Sequence, residues 1–143
     1  MNDNTKAPGW YTAVAVIALI WNLLGLMAFA MQMLMTPEMI AQMPEDQQAM
    51  MNAMPGWVTA AFGVATIGGS LGALMMLLKK HIAHLLFIIS LAGVLVQQYW
   101  GFVVMDGLSV YTPFQVAMTT GVLVFGIILI LLTRKAKANG WSS

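Results

Sequence analysis

The chain has 143 residues, of which 60% are hydrophobic and 8% are charged, and its formal net charge is +1. Such a composition is untypical of a soluble domain, and a near-neutral chain without a basic, aromatic-rich patch argues against nucleic acid as a partner. The sequence contains no cysteine, which excludes disulfides, thiolate metal sites and a cysteine nucleophile.

Four apolar runs predict four membrane spans. About 20 apolar residues cross the hydrocarbon core of a bilayer, and runs of this length cover approximately residues 11–35, 56–78, 82–105 and 113–133. None of these runs contains Asp, Glu, Lys or Arg. The first run is longer than the apolar region of a signal peptide, usually about 7 to 15 residues, so we interpret it as a span. We therefore predict an all-α integral membrane four-helix bundle that forms a single membrane domain over residues 1–143.

The segment between the first two spans predicts a short helical cap. Thr36-Pro37-Glu38 combines a capping side chain, a proline at the first helical position and an acid in the first turn. Met43-Pro44-Glu45-Asp46 repeats this signal, and Pro55-Gly56 ends the segment. Four methionines recur at the spacing of one helical face, which we expect to lie on the bundle: Met39, Met43, Met50 and Met54.

The second span contains Gly68 and Gly72 in a G-x-x-x-G pair, which allows two helix backbones to approach closely in lipid. The pair fits packing inside the bundle, and it also fits a seam between two copies of the chain. Lys79 and Lys80 then form a short basic turn, so the second and third spans are expected to form a tight antiparallel hairpin.

The charged residues predict the orientation of the bundle. All six basic residues fall on one side of the spans, whereas the other side carries acids only. The basic set is Lys6, Lys79, Lys80, Arg134, Lys135 and Lys137, and the acidic set is Glu38, Glu45, Asp46 and Asp106. By the positive-inside rule, both termini and the turn at 79–80 are expected in the cytoplasm, with the cap outside.

Polar side chains within the spans are the first place to look for function. Asn22 and Ser90 fall near the midplane, and four glutamines fall in the half toward the cap: Gln32, Gln97, Gln98 and Gln115. One interpretation is that these groups hydrogen-bond between helices. The other is a ligand vestibule that suits a neutral polyhydroxylated or heterocyclic solute, formed by Trp21, Asn22, Gln97, Tyr99 and Trp100. Tryptophan and tyrosine also collect at membrane interfaces without any ligand, which would suit Trp57, Trp100 and Tyr111.

Methionine and histidine are the other candidates for chemistry. Met27, Met31, Met35, Met39 and Met43 are spaced every four residues. They suit packing or partner contact, with a Cu(I) relay as the alternative because thioethers are soft ligands.

His81 and His84 share a helical face but lack a third ligand. We predict no metal site and no cofactor, and because the sequence shows no catalytic pattern, we do not expect an enzyme.

Several segments together resemble a group of small, largely uncharacterised bacterial inner-membrane proteins with four spans, often labelled sugar transporters by automated naming. These segments are Ile20-Trp21-Asn22-Leu23, Thr36-Pro37-Glu38, Met43-Pro44, Pro55-Gly56-Trp57-Val58-Thr59-Ala60-Ala61-Phe62, Gly68–Leu78 with Lys79 and Lys80, Ile89-Ser90-Leu91-Ala92-Gly93-Val94-Leu95-Val96-Gln97, and Gly140-Trp141. The resemblance covers nearly the whole chain and implies a bacterial inner-membrane location, but it carries over no binding residue.

Two functions follow as expectations. The first is permease-like binding or transport of a small neutral solute, carried out as an oligomer because four helices rarely enclose a path for a solute. The second is a non-enzymatic accessory or scaffold subunit of a larger membrane complex. The expected partners are the lipid bilayer and either further copies of this chain or another membrane protein.

Overall fold

Six α-helices account for most of the chain in the computed structural model, which describes residues 6–109 and 111–143. The helices are α1 (Gly9–Met33), α2 (Pro37–Ala41), α3 (Glu45–Ala53), α4 (Gly56–Leu77), α5 (Ile82–Gln98) and α6 (Pro113–Asn139). A π-helical segment, Tyr99–Val104, continues α5, and a 3-10 turn follows at Gly107–Ser109. Within the described ranges there is no strand.

Four of these elements are long and apolar enough to cross a membrane, namely α1, α4, α5 with its π-helical continuation, and α6. Many large apolar side chains face outward, including Ile17 at 60%, Leu24 at 59% and Leu131 at 56% exposure. Such surface is stable in lipid and unfavourable in water. The chain is a multi-pass membrane protein, and the prediction of an all-α four-helix membrane bundle is confirmed.

The spans pack in chain order, α1 along α4, α4 along α5, and α5 along α6. The backbones of α1 and α6 approach each other less closely than any of these three pairs. On that side the bundle is joined by side chains, among them Trp21 and Phe125, whose ring centroids are 5.8 Å apart at an angle of 89°. The α1–α6 side is therefore the most loosely packed seam of the bundle.

The closest helix contact lies between α4 and α5. A Cβ on Gly93 would come within 2.6 Å of the Ala61 carbonyl oxygen, and Ser90 Oγ donates to the Ala65 carbonyl at 2.6 Å. Gly68 lies against Ser90, with 3.5 Å between its Cβ position and the serine Cα. Small residues hold the hairpin together, and the glycine pair of the second span packs inside the bundle.

Two short helices, α2 and α3, join α1 to α4 at one end of the bundle, here called the cap end. Thr36 Oγ1 accepts a hydrogen bond from the Met39 amide, which confirms the predicted start of α2. Met50 of α3 is buried against Val58 and Trp100. The helical cap is confirmed, with two helices for the two predicted starts, but the expectation that Met39 lies on the bundle is wrong, because its side chain is 46% exposed.

The opposite end, here called the basic end, carries Lys79, Lys80 and the last turns of α6. This helix continues to Asn139, past the predicted limit at 133. It ends at Gly140, whose φ of 75° is the left-handed conformation that glycine favours at helix ends. The tail then folds back, because the Ser143 amide donates to the Lys79 carbonyl at 2.8 Å.

Trp141 is packed into the basic end. Its ring meets those of Trp10 and Tyr11 at centroid distances of 5.7 and 5.6 Å. Its amide donates to the Ala136 carbonyl at 2.8 Å, which satisfies one of the last carbonyls of α6. Trp141 thereby joins α1 to α6 at the basic end.

Candidate ligand cavity

A cavity of about 270 Å³ lies between the four spans, in the half of the bundle toward the cap. It is close to the lower end of the volumes usual for small-molecule sites, roughly 300 to 1,000 Å³. All four spans contribute to its wall, and Met54, Val58 and Trp100 form its boundary at the cap end. Toward the basic end it is bounded by Phe87 and Leu129, which belong to the buried apolar core.

Four of the five predicted vestibule residues line this cavity: Trp21, Asn22, Gln97 and Trp100. Tyr99 does not, and its side chain is 57% exposed on the outside of the bundle. Neighbouring residues on a helix point about 100° apart, so Trp100, which is only 4% exposed, takes the inward position that Tyr99 cannot share.

The Asn22 side chain is held by a hydrogen bond within α1 and fits into the space that Gly69 leaves in α4. Its Nδ2 donates to the Ala18 carbonyl at 2.8 Å. Its Oδ1 occupies the position where a Cβ on Gly69 would lie, and Ser90 Oγ is 3.1 Å from that position. The carboxamide therefore packs against α4 and α5, but its hydrogen bond stays within α1 and does not join two helices.

Gln97 and Gln98 have different surroundings although both line the cavity. Gln98 Nε2 donates to the Thr119 carbonyl at 2.7 Å, which ties α5 to α6. The Gln97 side chain is half-buried, and within residues 6–109 and 111–143 its amide has no hydrogen-bonding partner. Gln97 therefore keeps two donors and an acceptor for a ligand.

Aromatic side chains form much of the wall. They come from every span and from the segment after α5: Trp21, Phe62, Phe87, Trp100, Phe102, Tyr111 and Phe125. The described lining residues include no Asp, Glu, Lys or Arg. Burial raises the pKa of the Tyr111 hydroxyl above its usual range, so this group is a neutral donor at physiological pH. The site suits an uncharged molecule with at least one ring.

Tyr111 is the lining residue that sequence reasoning placed elsewhere, in an interfacial belt. Its hydroxyl lies 2.6 Å from the Cβ position of Gly101, and its ring meets Phe102 at a centroid distance of 5.3 Å. The signal that could have located it is the pair of glycines, Gly101 and Gly107. Both present a bare backbone to the same tyrosine ring.

The methionine row does not form a continuous ladder. It is broken between α1 and α2, at residues 34–36. Met27 and Met31 are each 58% exposed, whereas Met35 and Met43 are half-buried. Exposed thioethers on a lipid-facing helix suit packing with lipid or with another protein.

The two histidines serve packing at the basic end. His84 Nδ1 lies 3.2 Å from the Ile130 carbonyl oxygen and 3.2 Å from Thr133 Oγ1. His81 Nε2 lies 2.8 Å from the Ser142 carbonyl oxygen. A hydrogen bond to the Ser142 carbonyl requires the hydrogen on His81 Nε2, whereas His84 Nδ1 can donate to the Ile130 carbonyl or accept from the Thr133 hydroxyl, according to its tautomer. Across the described residues, no group of three His, Cys, Asp or Glu side chains comes together to hold a metal.

The fold and the cavity together define a class: a small multi-pass membrane protein with an uncharged, aromatic-walled cavity between its spans. Comparisons with protein-family models, with curated proteins and with solved structures found no match for the chain.

Proposed function

We propose that this protein binds a small neutral solute in the cavity between its four spans, as a permease-like protein of the bacterial inner membrane. The observation that supports the proposal is that Trp21, Gln97 and Trp100 are gathered around one space without a charged neighbour among the described lining residues. Aromatic walls with a few placed amides are typical of sites for uncharged ligands. The resemblance to four-span bacterial proteins labelled as transporters agrees with this function.

Transport would require more than one chain or a change of shape. Between the cavity and the basic end, the bundle is filled by buried side chains such as Tyr11, Met76 and Phe87. A solute path through a single chain is therefore closed in this conformation. We propose that the functional unit is an oligomer, in which neighbouring chains complete the path.

The proposal is tested by ligand-dependent stabilisation of the purified protein in lipid nanodiscs. Neutral sugars, polyols, nucleosides and aromatic alcohols are compared with charged analogues of similar size. A ligand at about 100 times its Kd should stabilise the folded state by roughly 2.7 kcal/mol. The double variant Asn22→Leu, Gln97→Leu should lose this effect, whereas Gln42→Leu, an exposed glutamine of the cap, should keep it.

Two outcomes would contradict the proposal. One is that no neutral solute stabilises the protein. The other is that stabilisation persists unchanged in the double variant, which would place the ligand outside the cavity.

A second candidate function is an accessory subunit of a larger membrane complex. It is favoured by the exposed methionines of α1, Met27, Met31 and Met33, which offer an adaptable contact surface. Co-purification of the protein with unrelated membrane subunits in mild detergent would support this function over a homo-oligomer.

A further inference from the structure

The hydrogen-bonding groups of the cavity wall are mostly engaged within the protein. Three hydroxyls donate to main-chain carbonyls: Thr66 to Phe62 at 2.9 Å, Ser90 to Ala65 at 2.6 Å, and Thr119 to Val116 at 2.9 Å. Two of the three side-chain amides of the wall, those of Asn22 and Gln98, also donate to main-chain carbonyls. Among the described residues, the polar groups left for a ligand are chiefly the Gln97 amide and the Tyr111 hydroxyl.

This supply is too small for a polyhydroxylated ligand. A sugar carries a hydroxyl on nearly every carbon, and each hydroxyl removed from water without a new partner costs about 1 to 3 kcal/mol. Gln97 and Tyr111 could pair with only part of that surface. A ring that carries one or two polar groups loses little on burial and gains contact with the aromatic wall.

The access routes agree with a ligand that dissolves in the bilayer. The cap end of the cavity is covered by the apolar side chains of Met54, Val58 and Trp100. The other end is closed by Phe87 and Leu129. Three sides of the cavity are closed by the closely packed pairs α1–α4, α4–α5 and α5–α6. The fourth side is the α1–α6 seam, where side chains rather than closely packed backbones separate the cavity from lipid.

Resting on the proposed function, we propose that the ligand of this cavity is a lipid-soluble neutral molecule with an aromatic ring and one or two hydrogen-bonding groups, and that Gln97 determines its specificity. The ring lies among the aromatic side chains, and the Gln97 amide pairs with the polar group. The ligand reaches the cavity from the bilayer across the α1–α6 seam.

The test uses 2-naphthol and D-glucose as probes, both radiolabelled, with the protein in phosphatidylcholine nanodiscs. Binding is measured by equilibrium dialysis, and the signal of empty nanodiscs is subtracted to remove partitioning into lipid. We expect saturable binding of 2-naphthol and none of glucose. Gln97→Leu removes the hydrogen bond and should weaken 2-naphthol binding about 2- to 12-fold.

A matched pair of variants on α6 locates the site. Val122 lines the cavity, so Val122→Trp should fill it and weaken 2-naphthol binding by roughly tenfold or more. Val124 is 50% exposed on the same helix, so Val124→Trp should leave binding unchanged. If Val122→Trp fails to fold, the comparison of Gln97→Leu with the unchanged protein carries the test.

The possible failures separate this inference from the proposed function. Saturable glucose binding that Val122→Trp abolishes would overturn the inference and leave solute binding in place. Equal binding of 2-naphthol by the unchanged protein, Gln97→Leu and Val122→Trp would also overturn it. Absence of 2-naphthol binding overturns the inference alone if another neutral solute still stabilises the protein, and it overturns both if none does.

Discussion

At the scale of single residues, Gly93 sets the distance between α4 and α5. Its Cβ position lies 2.6 Å from the Ala61 carbonyl oxygen and 2.9 Å from the Ala65 amide nitrogen. Both neighbours are backbone atoms, which cannot rotate away as a side chain could. Because Ser90 donates to the Ala65 carbonyl one turn away, any separation of the two helices also weakens that hydrogen bond.

We therefore predict that Gly93→Ala lowers the free energy of unfolding by about 1 to 3 kcal/mol, the usual cost of overpacking. The matched control is Gly121→Ala on α6, where nothing lies within 4 Å of the Cβ position. Reversible unfolding in mixed micelles would measure both changes. An equal effect of the two substitutions would show that α4 and α5 are not packed as described.

Residue-scale contacts also explain which parts of the cavity could be predicted. Asn22 and Gln97 were identifiable because polar side chains are rare inside spans and therefore conspicuous. The phenylalanines that complete the wall were not, because an inward-facing phenylalanine and a lipid-facing one look alike in a sequence. Phe125 lines the cavity and Phe114 is 72% exposed, although both belong to α6.

At the scale of elements, the start of α6 depends on Thr112. Its hydroxyl accepts from the Gln115 amide at 3.2 Å, and Gln115 Oε1 accepts from the Thr112 amide at 3.0 Å. This reciprocal capping box satisfies two donors that a helix start would otherwise leave free. Pro113 at the first helical position presets the backbone angle.

Thr112→Ala should cost about 1 kcal/mol of stability and increase hydrogen exchange of the Gln115 amide. The control is Thr120→Ala, an exposed threonine within the same helix. That substitution should change the exchange of the Gln115 amide very little. Unaltered exchange in Thr112→Ala would mean that the cap is not formed in the membrane.

The third span shows where prediction of elements reaches its limit. Its length and hydropathy predicted one uninterrupted helix over about 82–105, whereas the structure changes to π-helical bonding after Gln98. The Met105 amide donates to the Trp100 carbonyl at 3.0 Å, five residues earlier. Apolar composition does not distinguish this π-helical hydrogen bond from the α-helical bond to the carbonyl four residues earlier, because both satisfy the backbone in lipid. The π-helical segment begins at Tyr99, which is exposed, and continues through Trp100, which is buried.

At the scale of the whole molecule, the charges divide between the two ends. Lys79 and Lys80 lie in the α4–α5 turn, and the last basic residues lie on the final turns of α6. Lys79 Nζ donates to Thr12 Oγ1 at 3.2 Å, and the tail after α6 bonds to the same turn. These contacts tie α1, the hairpin and α6 together at one membrane face.

The distribution of charge predicts the orientation, because Lys and Arg in short loops are retained on the cytoplasmic side. The chain has no cysteine, so single cysteines can be introduced as unique reporters. We predict that Ala49→Cys, in the cap helix α3, reacts in intact bacteria with a maleimide that cannot cross the inner membrane. Asn139→Cys, at the end of α6, should react only after the cells are permeabilised. Both positions are exposed in the structure, so a difference in labelling reports the side of the membrane and not burial. The reverse pattern would place the cap in the cytoplasm. The cavity lies in the half of the bundle toward the cap. A lipid-soluble ligand would then reach Gln97 from the cytoplasmic leaflet and not from the outer one.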